Sequence, residues 1–234
     1  MTDETRQKIQ LVLAVAIAVA AVRTGYIFYE RHKTESETAV KSAPPLNPDY
    51  YVIPKKLYPY DLKSAKQLTQ QPVWVKEGYR YSLYPYRDHR TDFSHEAGQL
   101  LPIQELHIKD VVLDVTPGAP EQKQVMAVIK DQGKEYAFPI GSLKDGNYQI
   151  YSDEMLYIQD PHELYKHWPA EVWQAIDKHE VQPGMNELQA DFAIGMGVPE
   201  AGSGETKVVN YPNGGKPLRI TYRDGKAVEI KAGG

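Results

Sequence analysis

Cysteine is absent from all 234 residues. No disulfide can form, no thiolate can attack a substrate or join a zinc site, and no N-terminal cysteine exists to carry a lipid. An excess of basic charge is also missing. Lys and Arg number 27 against 31 Asp and Glu, a net charge of −4, and the pI is about 6.0. Nothing in that balance provides the positive footprint that nucleic acid requires. There is no P-loop, no Gly-x-Gly-x-x-Gly turn and no His-Glu-x-x-His pair. Nucleotide phosphates, dinucleotides and zincin chemistry therefore have no sequence signature here. What remains is ordinary globular composition, 41% hydrophobic and 25% charged. That excludes a wholly disordered chain and leaves room for one or two domains.

One long hydrophobic run is present. Ile9 to Val22 is apolar except for Gln10, and the apolar character resumes at Tyr26-Ile27-Phe28-Tyr29. About 21 residues at 1.5 Å each cross the ~30 Å hydrocarbon core of a bilayer. Arg23 can extend its stem to the interface, and the aromatic residues suit the headgroup belt. A cleaved signal peptide is the alternative, with Arg6 and Lys8 as its basic region and Ala18-Val19-Ala20 as a small-x-small site. The aromatic continuation favours an anchor over residues 1–30. Lysine and arginine counts on the two sides do not by themselves orient it. Residues 31–49 are polar and end in a proline-rich stretch around Pro44-Pro45, which reads as a linker.

Strand signals fill residues 50–159. Tyr50, Tyr51, Tyr58, Tyr60, Tyr79, Tyr81, Tyr84 and Tyr86 are eight of the 17 tyrosines, interleaved with prolines. A short helix is expected around Asp61–Gln70, then strands at Pro72–Lys76, Tyr79–Tyr84 and His107–Val115. Gln124–Lys130 and Lys134–Pro139 form a hairpin across Asp131-Gln132-Gly133, and a last strand lies near Tyr148–Tyr151. Residues 87–98 read as a polar loop. From residue 160 the pattern changes. Asp160-Pro161 starts a helix, Pro169 restarts one carrying Val172, Trp173 and Ile176, and Pro183-Gly184 ends it. Asn186 then caps another, with Gln189 as its box partner and Met185, Leu188 and Phe192 on one stripe. Three strands follow, at Lys207–Tyr211, Leu218–Tyr222 and Ala227–Lys231.

Gly184-Met185-Asn186 at a helix start, Gly195, Gly197-Val198-Pro199 and the terminal Asp224-Gly225 hairpin together resemble the SmpA/OmlA (BamE-like) family of outer-membrane assembly lipoproteins. The resemblance covers about residues 175–231. It lacks the lipidated cysteine and has two residues inserted before Gly197. It implies a small scaffold in the cell envelope that contacts other proteins, and it brings no catalytic residues. More faintly, residues 98–158 resemble a bacterial SH3-like barrel, through Gly98-Gln99-Leu100-Leu101-Pro102 and the tight hairpin. Such barrels bind peptides or cell-wall material with clustered aromatics, which points to Tyr79, Tyr81, Tyr84, Tyr86 and Tyr136. The plain alternative is that Gly184, Gly195, Gly197 and Pro199 shape helix ends, that Met185 is core, and that the tyrosines are half-buried on a sheet.

These readings lead to an α+β fold: an N-terminal transmembrane helix, a small SH3-like β-barrel over residues 50–159 and a C-terminal ααβββ module over 160–234. The resemblance places the body in the periplasm, held by a single pass to a bacterial inner membrane. The expected activity is non-catalytic, a scaffold or protein-binding module with a membrane and a protein partner. No cofactor or metal is expected. Two alternatives stay open: a receptor for peptide or peptidoglycan through the tyrosines, and a metal-dependent hydrolase at Asp88-His89, Asp92 and His95-Glu96. Gly202-Ser203-Gly204 lacks the strand–elbow setting of a serine hydrolase.

Overall fold

A computed structural model describes residues 3–37, 46–78, 80–119, 121–200 and 206–233, with side chains of the first helix described over 13–31. The chain divides into two compact units, Met1–Tyr50 and Tyr51–Gly234.

The first unit is built on one helix, α1 (Asp3–Glu37), which continues seven residues past the expected end at residue 30. Its segment Leu13–Arg31 has a mean hydropathy of 1.4 over 19 residues, and none of it is buried. By length and composition it can cross a membrane, and a signal sequence shares those features. Two of its hydroxyls are satisfied along the helix. Thr24 Oγ1 donates to the Ala20 carbonyl at 2.8 Å and the Tyr26 hydroxyl donates to Glu30 Oε1 at 3.0 Å. Such local bonds lower the cost of placing hydroxyls in an apolar medium.

The second unit begins with a short helix, α2 (Leu62–Ala65). Asp61 caps it by accepting the Ser64 N–H at 2.7 Å, while Ser64 Oγ accepts the Asp61 N–H. Strands β1 (Val73–Val75), β2 (Ser82–Arg87), β3 (Arg90–Thr91), β4 (Gly98–Gln99), β5 (Glu105–Leu106), β6 (Ile108–Val115), β7 (Gln122–Asp131), β8 (Lys134–Lys144) and β9 (Asn147–Ile150) follow. After α3 (Ser152–Met155) come β10 (Leu156–Tyr157), α4 (Pro161–Leu164), α5 (Ala170–Asp177) and α6 (Glu187–Ile194). The chain closes with β11 (Val198–Pro199), β12 (Thr206–Tyr211), β13 (Leu218–Arg223) and β14 (Lys226–Ala232). The fold is mixed α+β, with an N-terminal apolar helix and a strand-rich body.

The largest sheet is antiparallel, ordered β3-β2-β8-β7-β6, with β9 on β8 and β4 on β2, and it curls into a half-barrel. Bulges at Ile140 on β8, opposite Val125/Met126, and at Lys109 on β6, between Ile108 and Asp110, bend the long strands. Alternation assigns the two faces. Val125, Ala127, Ile129, Phe138 and Ile140 point into one core, together with Leu68, Val73 and Val75. Met126, Val128 and Ala137 point to the outer face, where Tyr86 and Phe93 cover them. The hairpin between β7 and β8 turns through Gln132-Gly133, both at positive φ (46° and 81°). That two-residue geometry matches the twist of the paired strands.

A second sheet is ordered β11-β12-β13-β14 and packs with α5 and α6 around a separate core. Asn186 caps α6 through the Gln189 N–H at 2.8 Å, and the Gln189 side chain returns a bond to the Asn186 N–H. Met185 and Phe192 are buried in this core, with Leu188 at its margin. A three-stranded sheet, β10-β1-β5, lies between the two cores. Val73, Val75 and Leu156 belong to the first core, whereas Trp74 and its cross-strand partner Tyr157 belong to the second.

The structure differs from the sequence reading in the segment of residues 79–98. β2 starts at Ser82 and runs to Arg87, and the expected loop holds β3 and β4. Asp88 and His89 turn the β2–β3 hairpin at positive φ, 49° and 60°, without a glycine to mark it.

Candidate functional site

Five tyrosines were the first candidates. Tyr79 lies outside the described residues. Tyr81 and Tyr136 sit at the edge of the inner core, with Leu83. Tyr84 and Tyr86 lie on the opposite face of β2. The Tyr84 ring stands 5.2 Å from Phe93, and Tyr86 is 8% exposed within the outer cluster. The period of two that defines a strand thus separates residues that look like a single stripe. Burial, then the carboxylates of Asp114, Asp110 and Glu135, push the Tyr86 hydroxyl above its ordinary pKa. It is a neutral, packed tyrosine.

The ionisable loop is equally local. Asp92 Oδ1 accepts from Ser94 Oγ at 2.5 Å, while Ser94 Oγ and Asp92 Oδ2 lie 2.8 and 3.0 Å from the same His95 Nδ1. A nucleophilic triad needs serine and carboxylate on different ring nitrogens, so this is a capped turn. Hydrogen bonds from Ser94 and His95 hold the Asp92 carboxyl below its usual range. No group of three metal-binding side chains converges among the described residues. His162 is committed elsewhere: its two nitrogens face Asp160 at 3.0 Å and Asp177 at 3.2 Å, and its ring stacks on Trp173 at 4.1 Å. Gly202, Ser203 and Gly204 lie outside the described residues.

The family-like motif residues have structural work to do. Gly197 sits against β12, and a Cβ there would stand 2.4 Å from Val209 Cγ1 and 2.9 Å from Tyr211 Cε1. Only glycine fits. Gly195 ends α6 at φ 83° and donates its N–H to the Asp191 carbonyl, while Gly184, at φ 90°, donates to the Ala227 carbonyl and ties the loop to β14. Pro199 pairs with Val209 on the sheet edge.

Behind Gly197 lies a buried polar chain that sequence reasoning missed. Burial, and then the nearby Glu187 carboxylate, push the Asp191 carboxyl up to about 7, against the opposing hydrogen bonds of the Tyr211 hydroxyl and the Gly197 N–H. Its Oδ1 is buried without a hydrogen-bond partner among the described residues. The Tyr211 and Tyr222 hydroxyls are 2.9 Å apart. With Tyr211 donating to Asp191, Tyr222 donates to Tyr211. Burial raises both phenols, so neither ionises at neutral pH.

A cleft of about 590 Å³ lies where Gln99–Pro102 meet the ends of α5 and α6 and the β12–β13 turn. Arg80, Lys178, His179 and Lys216 line it, and no carboxylate does. Leu100, Pro102 and Ile194 give it an apolar floor. The backbone around it is unusual. His179 and Asn213 take positive φ, 55° and 39°, as do Gly195 and Gly214. His179 is oriented by Nδ1–H donating to the Ala193 carbonyl at 3.0 Å. Lys178 and His179 also complement the negative ends of α5 and α6. Arg80 and Lys216 belong to neither helix, so helix dipoles do not account for them. In a chain of net charge −4, this concentration of cations favours an anionic group over a half-apolar surface.

No protein-family model matches the chain, and neither a curated protein nor a solved structure matches it.

Proposed function

We propose that this protein is a single-pass envelope protein whose N-terminal helix holds a non-catalytic binding module at the inner membrane, with the body on the periplasmic side. The module serves as a scaffold, and the basic cleft receives an acidic segment of a partner protein. The observation that carries the reading is the contrast between a helix with no buried side chain over Leu13–Arg31 and a separate, compact body. A helix in that condition in water would leave a large apolar area uncovered. The resemblance of α5, α6 and the strands after them to the SmpA/OmlA family supports an assembly scaffold. The curled sheet is in keeping with an SH3-like barrel.

The test is protease protection of a C-terminally tagged chain in spheroplasts, followed by crosslinking. Digestion without detergent, leaving a short membrane-bound fragment, is expected. Protection until the membrane is dissolved would put the body in the cytoplasm and end the envelope reading. Charge reversal at Arg80→Glu with Lys216→Glu is expected to abolish the crosslinked partner while leaving the melting temperature unchanged, since both side chains are exposed. An unchanged crosslink would move the docking surface away from the cleft.

A further inference from the structure

The first ten residues of the body, Tyr51–Tyr60, form neither helix nor strand beyond Tyr51, yet they are held in place. Val52 packs on the core of α5 and α6, and Leu57 packs on the core of the half-barrel. Pro59 is buried. The Lys55 N–H donates to Gln159 Oε1 at 2.7 Å, and the Tyr60 N–H donates to Ser64 Oγ at 3.0 Å. The segment is therefore a strap that joins the two cores across the surface. Its outward face is apolar and aromatic. Tyr51 is 64% exposed, Ile53 86%, Tyr58 67% and Tyr60 78%. Lys55 and Lys56 are exposed among them, and the strap contains no acidic residue. Asp61, which follows it, is engaged in capping α2.

We infer that this strap is a second membrane contact, lying in the headgroup layer of the bilayer that α1 spans. The inference rests on the anchored reading of α1. Four large side chains turned outward from a fixed backbone need a cover, and three of them are tyrosine, which combines an apolar ring with a hydroxyl suited to the interface. Two lysines without neighbouring carboxylates on the strap match anionic headgroups. The tether supplies the rest. Thirteen residues, 38–50, separate the end of α1 from the strap, a reach of at most about 45 Å when extended. A contact too weak to act from solution becomes intramolecular, at an effective concentration near the millimolar range. Docked in this way, the strap fixes the body's orientation on the membrane, which the tether alone does not.

Because the chain has no cysteine, single spin labels report on it without background. Full-length protein carrying Ile53→Cys or Tyr58→Cys is reconstituted in vesicles containing anionic lipid, beside Ala18→Cys in the span and Asp131→Cys and Lys226→Cys at two hairpins. Labels at 53 and 58 are expected to lose most of their collisions with a water-soluble nickel chelate and to gain collisions with oxygen, at a depth shallower than the label at 18. Lys55→Glu with Lys56→Glu is expected to return them to water, as are vesicles of zwitterionic lipid. If the label at 18 is deep while 53 and 58 match the hairpin controls, the strap inference fails and the anchor stands. If the label at 18 is itself in water, the anchor fails and the inference goes with it. Shielding from both nickel and oxygen would mean that protein, not lipid, covers the strap.

Discussion

Phe192→Ala is expected to lower the stability of the body by about 4 kcal/mol, within the range for emptying a buried aromatic site. At roughly 2–4 °C per kcal/mol for a chain of this size, the melting temperature should fall by about 10 °C. Phe192 is fully buried on α6. Its ring meets Tyr165 at 5.0 Å and Trp168 at 5.1 Å, both edge-on, with Tyr157 and Trp173 at 6.1 and 6.2 Å. These partners come from β10, the α4–α5 connection and α5, so no single segment can collapse to fill the vacated volume. Phe192→Leu keeps most of that volume and should cost about 1.5 kcal/mol or less.

The shape of the transition matters as much as its midpoint. Tyr157 pairs with Trp74 across β10 and β1, and the same small sheet directs Val73, Val75 and Leu156 into the other core. The two cores thus share one wall. Tryptophan fluorescence and far-ultraviolet dichroism should move together in the variant, as in the parent. Two separated transitions, with only the tryptophan signal displaced, would show that the cores unfold independently and that the shared sheet does not couple them.

Much of this architecture was legible wherever one segment carried its own signal. Asn186 and Gln189 announced α6, and Met185, Leu188 and Phe192 announced its buried stripe. Gln132-Gly133 and Asp224-Gly225 announced two hairpins. Signals failed where structure depends on distant partners. β10 and β5 are two residues each, too short for any period, and become strands only because β1 lies between them. Tyr84 and Tyr86 looked like part of one aromatic surface with Tyr81 because composition does not record which face a strand presents until its register is fixed. The start of β2 read three residues early for the same reason. The cleft was hidden because Arg80, Lys178 and Lys216 come from three regions of the chain. Its lysines look like ordinary solvated charges until the β12–β13 turn and the end of α5 bring them to one concavity. Asp191 was silent as well. Its neighbours along α6 do not reveal that Tyr211, from β12, closes over it.

That aspartate makes the body's stability depend on pH in an unusual direction. Its carboxyl moves from an ordinary value of 3.8 when unfolded to about 7 when folded, so between those values the folded state binds the extra proton. Stability from this group is complete below about pH 4, declines as pH rises and is gone above pH 7. The limiting slope is about 1.4 kcal/mol per pH unit. Partial solvent access to the side chain screens this, and a total of about 2 kcal/mol is the expected scale. Paired surface carboxylates act oppositely. Glu200, held down to about 2 by Arg219 and Asn210, titrates only in stronger acid and does not overlap this window. Asp191→Asn keeps an oxygen for the Tyr211 hydroxyl and the Gly197 N–H but cannot ionise. Denaturant unfolding of both proteins from pH 5 to pH 8 should show the variant gaining on the parent by about 1.2 kcal/mol, the share of the total that falls in that range. A constant difference between the two curves would mean that Asp191 ionises normally in the fold, and that the cluster of Asp191, Tyr211 and Tyr222 admits enough water to solvate a charge. A growing difference would establish that this cluster is dry, with Asp191 protonated until the pH nears neutrality.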